Sequence, residues 1–131
     1  KLVDIELRDE KGDVRKLSDV AGKGKPTIVV FSVMTAPDSP DFNRRLSEVY
    51  KKRGGGLEIY QVSLDADEYE WKQSAKNLPW ITVYNSSTDG NSNLINYNVK
   101  NLPTTYIISN GEIVERVDDL SKLQSAVAKY M

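Results

Sequence analysis

The segment Thr35-Ala36-Pro37-Asp38-Ser39-Pro40-Asp41 brings hydroxyls, carboxylates and prolines together within one turn-forming stretch. A hydroxyl attacks a substrate only when a neighbouring base takes its proton. The chain contains no histidine, and no lysine stands beside Thr35 or Ser39, so neither hydroxyl has an activator. It contains no cysteine either. Thiolate nucleophiles, disulfides and Cys-ligated zinc are therefore excluded. The usual serine-hydrolase triad, HExxH zinc sites and histidine phosphotransfer are excluded with them.

Other chemistry-bearing clusters have plainer explanations. Asp65, Asp67, Glu68 and Glu70 read as the acidic first turn of a helix, where carboxylates meet the positive end of the dipole. Asp89-Gly90-Asn91-Ser92-Asn93 resembles the opening of a calcium loop. Leu94 stands where that loop needs its glycine and Lys100 where it needs its bidentate glutamate, so no metal is expected. Asn85-Ser86-Ser87 is a glycosylation sequon, relevant only in a eukaryotic secretory setting. Gly22-Lys23-Gly24-Lys25 lacks the Walker spacing and leads into a strand, so it reads as a loop. Trp71 and Trp80 are expected to pack against a sheet rather than anchor a partner.

A formal net charge of −1 over 131 residues gives no overall field favouring nucleic acid or an anionic membrane. Lys51-Lys52-Arg53, abutting Gly54, suits the negative end of a helix. No apolar run approaches the ~20 residues of a membrane-spanning helix, so this segment is expected not to insert. The chain opens at Lys1 rather than Met. We therefore expect a trimmed or processed piece, with any targeting segment cut away.

The elements that must position these residues follow from periodicity. Leu2 to Arg8 alternate as a half-buried strand, Lys11-Gly12-Asp13 is a turn, and Val14 to Leu17 form a short return strand. Thr27 to Val33 is an unbroken β-branched run, which predicts a central strand buried on both faces. Phe42, Leu46, Val49 and Tyr50 mark a helix ending at the Gly54 run. Its start is open to two readings. Ser39 as N-cap with Pro40 at the first helical position is favoured; a cap at Thr35 would set Pro40 too deep. Leu57 to Leu64 is a strand, and a helix follows from Asp65-Glu68 to Lys76 or Asn77. Ile81 to Tyr84 forms a short strand, residues 85–93 a loop, and Leu94 to Tyr97 a short helix. Thr105 to Val117 form a hairpin about Asn110-Gly111, whose residues suit a primed turn. Asp118 or Asp119 caps a last helix with an apolar face of Leu120, Leu123, Val127 and Tyr130. The order predicts an α/β domain covering residues 1–131, with a parallel crossover and antiparallel edges.

Several stretches resemble the thioredoxin superfamily, in particular its periplasmic TlpA/ResA-like branch, related to AhpC/TSA proteins. They are Gly56-Leu57-Glu58-Ile59-Tyr60-Gln61-Val62-Ser63-Leu64-Asp65, Leu78-Pro79-Trp80, Val99 through Ile108, and Gly111-Glu112-Ile113-Val114. Phe31 followed by Pro37 sits where the family has a strand end and then Cys-x-Pro-Cys. The resemblance implies a three-layer α/β/α sandwich with a mixed sheet and an added N-terminal β-hairpin. It also implies a cis peptide bond at Leu102–Pro103.

On this overlay the family's cysteines fall on Ala36 and Ser39, within the degenerate motif Ala36-Pro37-Asp38-Ser39. Ser32 and Thr35 stand where many relatives carry tryptophan. Val30 replaces the carboxylate or asparagine of the strand beneath. Thiol–disulfide exchange needs a low-pKa thiolate and a resolving thiol, and alanine and serine supply neither. The resemblance therefore implies a redox-inactive interaction or scaffold module of a bacterial periplasm or cell envelope, needing no cofactor. Thr35, Leu102, Pro103 and Thr104 are its candidates for holding a peptide partner by strand addition. Two alternatives stay open: an oxidoreductase whose cysteines at 36 and 39 were replaced artificially, and a structural domain whose proline merely fixes a loop.

Overall fold

The computed structural model describes residues 2–131; Lys1, the first residue of the expected domain, lies outside them. Eleven strands and helices follow in the order expected. The strands are β1 (Glu6–Asp9), β2 (Val14–Lys16), β3 (Thr27–Ser32), β4 (Glu58–Ser63), β5 (Ile81–Tyr84), β6 (Thr104–Ser109) and β7 (Glu112–Arg116). The helices are α1 (Ser39–Arg53), α2 (Glu68–Ala75), α3 (Ser92–Asn96) and α4 (Leu123–Ala128). All seven strands join one mixed sheet in the order β2-β1-β5-β4-β3-β6-β7. The pairs β3–β4 and β4–β5 are parallel. The remaining pairs are antiparallel, including β6 against β3 with Phe31 opposite Thr104.

Every residue of β3 is buried, as an unbroken β-branched run requires when both faces are covered. Ile28 and Val30 enter the core beneath α1 and α4, with Phe42, Leu46, Val49, Leu123 and Val127. Val29 and Phe31 enter the opposite core, with Leu7, Leu17, Tyr60 and Tyr97. The spacing of Phe42, Leu46 and Val49 puts them on one stripe of α1. Burying side chains of this size contributes about 1.5–3 kcal/mol each. Gly54 ends α1 in the left-handed region at φ 53°, which glycine adopts without Cβ strain. The basic triplet lies in the last turn, as expected. Asn110 and Gly111 both take positive φ in the β6–β7 turn, and the expected N-terminal hairpin is present as β1–β2.

Beyond one-residue shifts at strand ends, the boundaries of β1, α1, α2 and α3 differ from the sequence reading. Leu2–Ile5 precede β1 instead of forming it. Asp4 turns its carboxylate to the N–H groups of Ile5 (2.9 Å) and Ser18 (2.8 Å), tying this segment to the turn at residues 17–19. Helix α1 starts at Ser39, so Asp38 occupies the cap position without a side-chain cap bond and Ser39 is not the cap. Helix α2 starts at Glu68 behind the Asp67 cap and stops at Ala75. Helix α3 covers Ser92–Asn96, earlier than Leu94 to Tyr97. At the C-terminal end Asp119 caps the 3-10 turn Leu120–Lys122 that leads into α4, accepting from the Ser121 N–H at 3.0 Å and from its hydroxyl at 2.7 Å. Among the described residues, no helix is long and apolar enough to cross a membrane.

Candidate functional site

Strand β3 delivers the chain at Ser32 to a turn that feeds α1. The Ala36 N–H donates to the Val33 carbonyl (3.2 Å) and the Ser39 N–H to the Ala36 carbonyl (3.0 Å). These bonds fix the helix start after Asp38 and leave Pro40 in the first turn, where a missing N–H costs nothing. Thr35 is not a cap. Its N–H donates to Asp65 Oδ2 at 2.9 Å, while the Met34 N–H donates to Asp65 Oδ1 at 2.8 Å. Asp65 is buried, and the Ser63 hydroxyl also donates to its Oδ1. Its assignment to the acidic turn of α2 is therefore corrected. That role belongs to Asp67, which accepts from the Glu70 N–H at 3.1 Å, and Asp65 clamps the turn ahead of α1.

A second polar group lies beneath the same turn. Gln61 on β4 is fully buried. Its Nε2 donates to Ser32 Oγ and Asn43 Oδ1, each at 3.0 Å, and its Oε1 accepts from Trp80 Nε1 at 2.9 Å. The amide thus joins β3, α1, β4 and the segment before β5. Val30 is buried in the apolar core with no carboxylate in its place. Trp71 and Trp80 are both packed inside, as expected, and Trp71 stacks on Tyr84 at 5.2 Å.

Above this floor a cleft of about 220 Å³ is lined by Ser32, Val33, Ala36, Asp38, Ser39, Phe42, Leu102 and Pro103. The structure therefore brings Ala36, Asp38 and Ser39 of the degenerate motif against Leu102 and Pro103. The Leu102–Pro103 peptide is cis, and Leu102 is exposed at the rim. Pro37, Thr35 and Thr104 are not in the lining. Pro37 and Thr35 are exposed beside the turn, and Thr104 is buried, donating its hydroxyl to the Asn101 carbonyl. The hydroxyl of Ser39 is buried and meets no polar partner. Nothing here resembles an activated nucleophile.

Electrostatics around the helix start are uneven. Asp41 is held below the usual carboxylate range by hydrogen bonds from Arg44, at 2.7 Å, and Arg45. Among the described residues Asp38 forms no ion pair, although it faces the cleft. The two remaining motif candidates are occupied by local structure. Asn85 of the sequon is buried and its amide donates to the Gly90 carbonyl at 3.1 Å. Asp89 accepts from the Ser86 N–H at 2.8 Å.

The family model described as thioredoxin-like matches residues 24–114. The chain belongs to the thioredoxin-like family. The match takes in β3, the turn, the cleft, β6 and the first half of β7. A thioredoxin-like protein from Bacteroides vulgatus is 40% identical, with a TM-score of 0.84 over 98% of this chain and 84% of that one. The thioredoxin domain of a thiol-disulfide oxidoreductase from the same organism is 26% identical, with a TM-score of 0.85 over 98% and 93% of the two chains. Mouse nucleoredoxin is 30% identical over 99 residues, 72% of this chain. This chain spans 23% of that protein's length and, in a similar match, 19% of a probable nucleoredoxin from Arabidopsis thaliana. Thiol–disulfide relatives thus share the fold with a chain that has no cysteine.

Proposed function

We propose that this domain is a redox-inactive member of the thioredoxin-like family, of the TlpA/ResA-like branch, that holds an extended peptide beside the Leu102–Pro103 bond. One observation carries the reading. A single cleft is lined jointly by Ala36 and Ser39, where the family resemblance places the two thiols, and by Leu102 and Pro103. An extended segment laid along Leu102 would use backbone hydrogen bonding for affinity, and the cleft would receive a side chain. Thr35 and Thr104 serve the site indirectly, by fixing the turn and the start of β6. The reading sets the domain in a bacterial cell envelope, on the strength of the sequence's resemblance to the periplasmic branch.

A short random-peptide library displayed on phage provides the test. Peptides retained by the chain and lost with Ala36→Trp, which fills the cleft, support the reading. Retention unaffected by that substitution, or no retention at all, contradicts it. Insulin reduction in the presence of a dithiol is expected to stay at background.

The rival account, an oxidoreductase with artificially replaced cysteines, draws support from the likeness to a thiol-disulfide oxidoreductase. It predicts cysteine codons at 36 and 39 in the natural gene. Val30, packed among Ile28, Phe42 and Leu46 where the family resemblance implies a carboxylate or asparagine, supports the inactive reading.

A further inference from the structure

Resting on the peptide-holding reading, we infer that the cleft selects a large apolar side chain with a lysine or arginine immediately beside it in the bound peptide. The first half follows from the lining. Val33, Ala36, Phe42, Leu102 and Pro103 offer carbon, the Ser32 hydroxyl oxygen is taken by Gln61 Nε2 at 3.0 Å, and the Ser39 hydroxyl is buried and so covered from an incoming group. A volume of about 220 Å³ accommodates one side chain of leucine or methionine size, and a polar side chain there would lose its hydration without a partner.

The second half follows from charge. Asp38 faces the cleft, is exposed, and has no ion-pair or hydrogen-bond partner for its carboxylate among the described residues. The neighbouring carboxylate, Asp41, is already neutralised by Arg44 and Arg45. The rim therefore presents one uncompensated negative charge next to an apolar hole. A cation flanking the anchored residue meets Asp38, and a carboxylate in the same place is repelled.

Fluorescence anisotropy with synthetic labelled peptides tests both halves separately. The probes carry a central leucine or alanine, flanked by lysine or glutamate. Replacing the central leucine by alanine is expected to weaken binding about tenfold. Replacing lysine by glutamate is expected to weaken it about fivefold in low salt and much less in salt near 0.5 M, where the Debye length is only a few ångströms. Asp38→Asn is expected to bring the lysine and glutamate peptides within about twofold of each other while the leucine preference persists. Equal binding of all peptides, or a lysine preference that survives Asp38→Asn, overturns this inference and leaves the peptide-holding reading standing. Absence of binding by every peptide, with Ala36→Trp indistinguishable from the unaltered chain, overturns both.

Discussion

Asp65 Oδ2 accepts the Thr35 N–H at 2.9 Å across thirty positions of sequence. Its other oxygen accepts the Met34 N–H at 2.8 Å, so one buried carboxylate holds two consecutive backbone groups of the turn ahead of α1. This clamp holds the turn in place, and the Ala36 and Ser39 N–H bonds to Val33 and Ala36 then set where the helix begins.

Asp65→Ala should therefore be costly. It removes the acceptor for two backbone donors, one of them fully buried, and an unsatisfied buried donor costs about 1–3 kcal/mol. Urea denaturation should show a loss of about 2–4 kcal/mol, and amide exchange at Met34 and Thr35 should accelerate more than exchange in β3. Asp65→Asn, which keeps one acceptor oxygen, should cost less. A stability unchanged by Asp65→Ala would remove the clamp from the account.

Gln61 and Trp80 provide a second check. Gln61→Met keeps the length of the side chain but leaves Trp80 Nε1 without its acceptor. Trp80→Phe conversely leaves Gln61 Oε1 bare. Each should destabilise the fold by about 1–3 kcal/mol, and the double variant should lose about 1 kcal/mol less than the sum because the two residues share one bond. Simple additivity would show that the bond contributes nothing.

Alkaline stability should report on Tyr97. Burial, reinforced by the Asp4 carboxylate, pushes its hydroxyl up to about 12, and its proton is donated to the Val3 carbonyl. Burial raises Tyr60 as well. An unfolded tyrosine ionises near pH 10 (about 10 in model peptides). Below that value both states keep the proton and the contribution is complete. As pH rises beyond it the unfolded chain ionises first, so stability drains away until the folded hydroxyl also ionises. Urea midpoints taken from about pH 8 to 11 should be level at first and then fall. Tyr97→Phe should flatten that fall, and an equally steep decline in the variant would contradict the assignment.

Much of the fold was legible because its signals are local. The β-branched run of β3, the Asn110-Gly111 turn and the apolar stripe of α1 each declare an element without help from distant residues. The cleft was legible only through resemblance, since residues 36 and 102 meet through the pairing of β3 with β6. Asp65 and Gln61 escaped. An aspartate two residues before a helix cap looks like part of the cap, and only the folded chain brings Met34 and Thr35 to it. Gln61 looks like an outward position in an alternating strand, but β4 lies between β3 and β5 with both faces covered, so its amide had to find partners inside. The α1 cap differs from the sequence reading for a related reason. A serine before a proline fits a cap by type, yet the bonds at Val33 and Ala36 set the helix start at Ser39 itself.

The most direct measurement is a two-dimensional amide NMR titration of the chain with the lysine-flanked leucine peptide. The account predicts saturable shifts concentrated at Val33, Ala36, Ser39, Leu102 and Thr104, with α3 and the β1–β2 hairpin unmoved and with no such shifts in Ala36→Trp. Shifts centred on the hairpin or on α3, or a spectrum that does not respond, would contradict it.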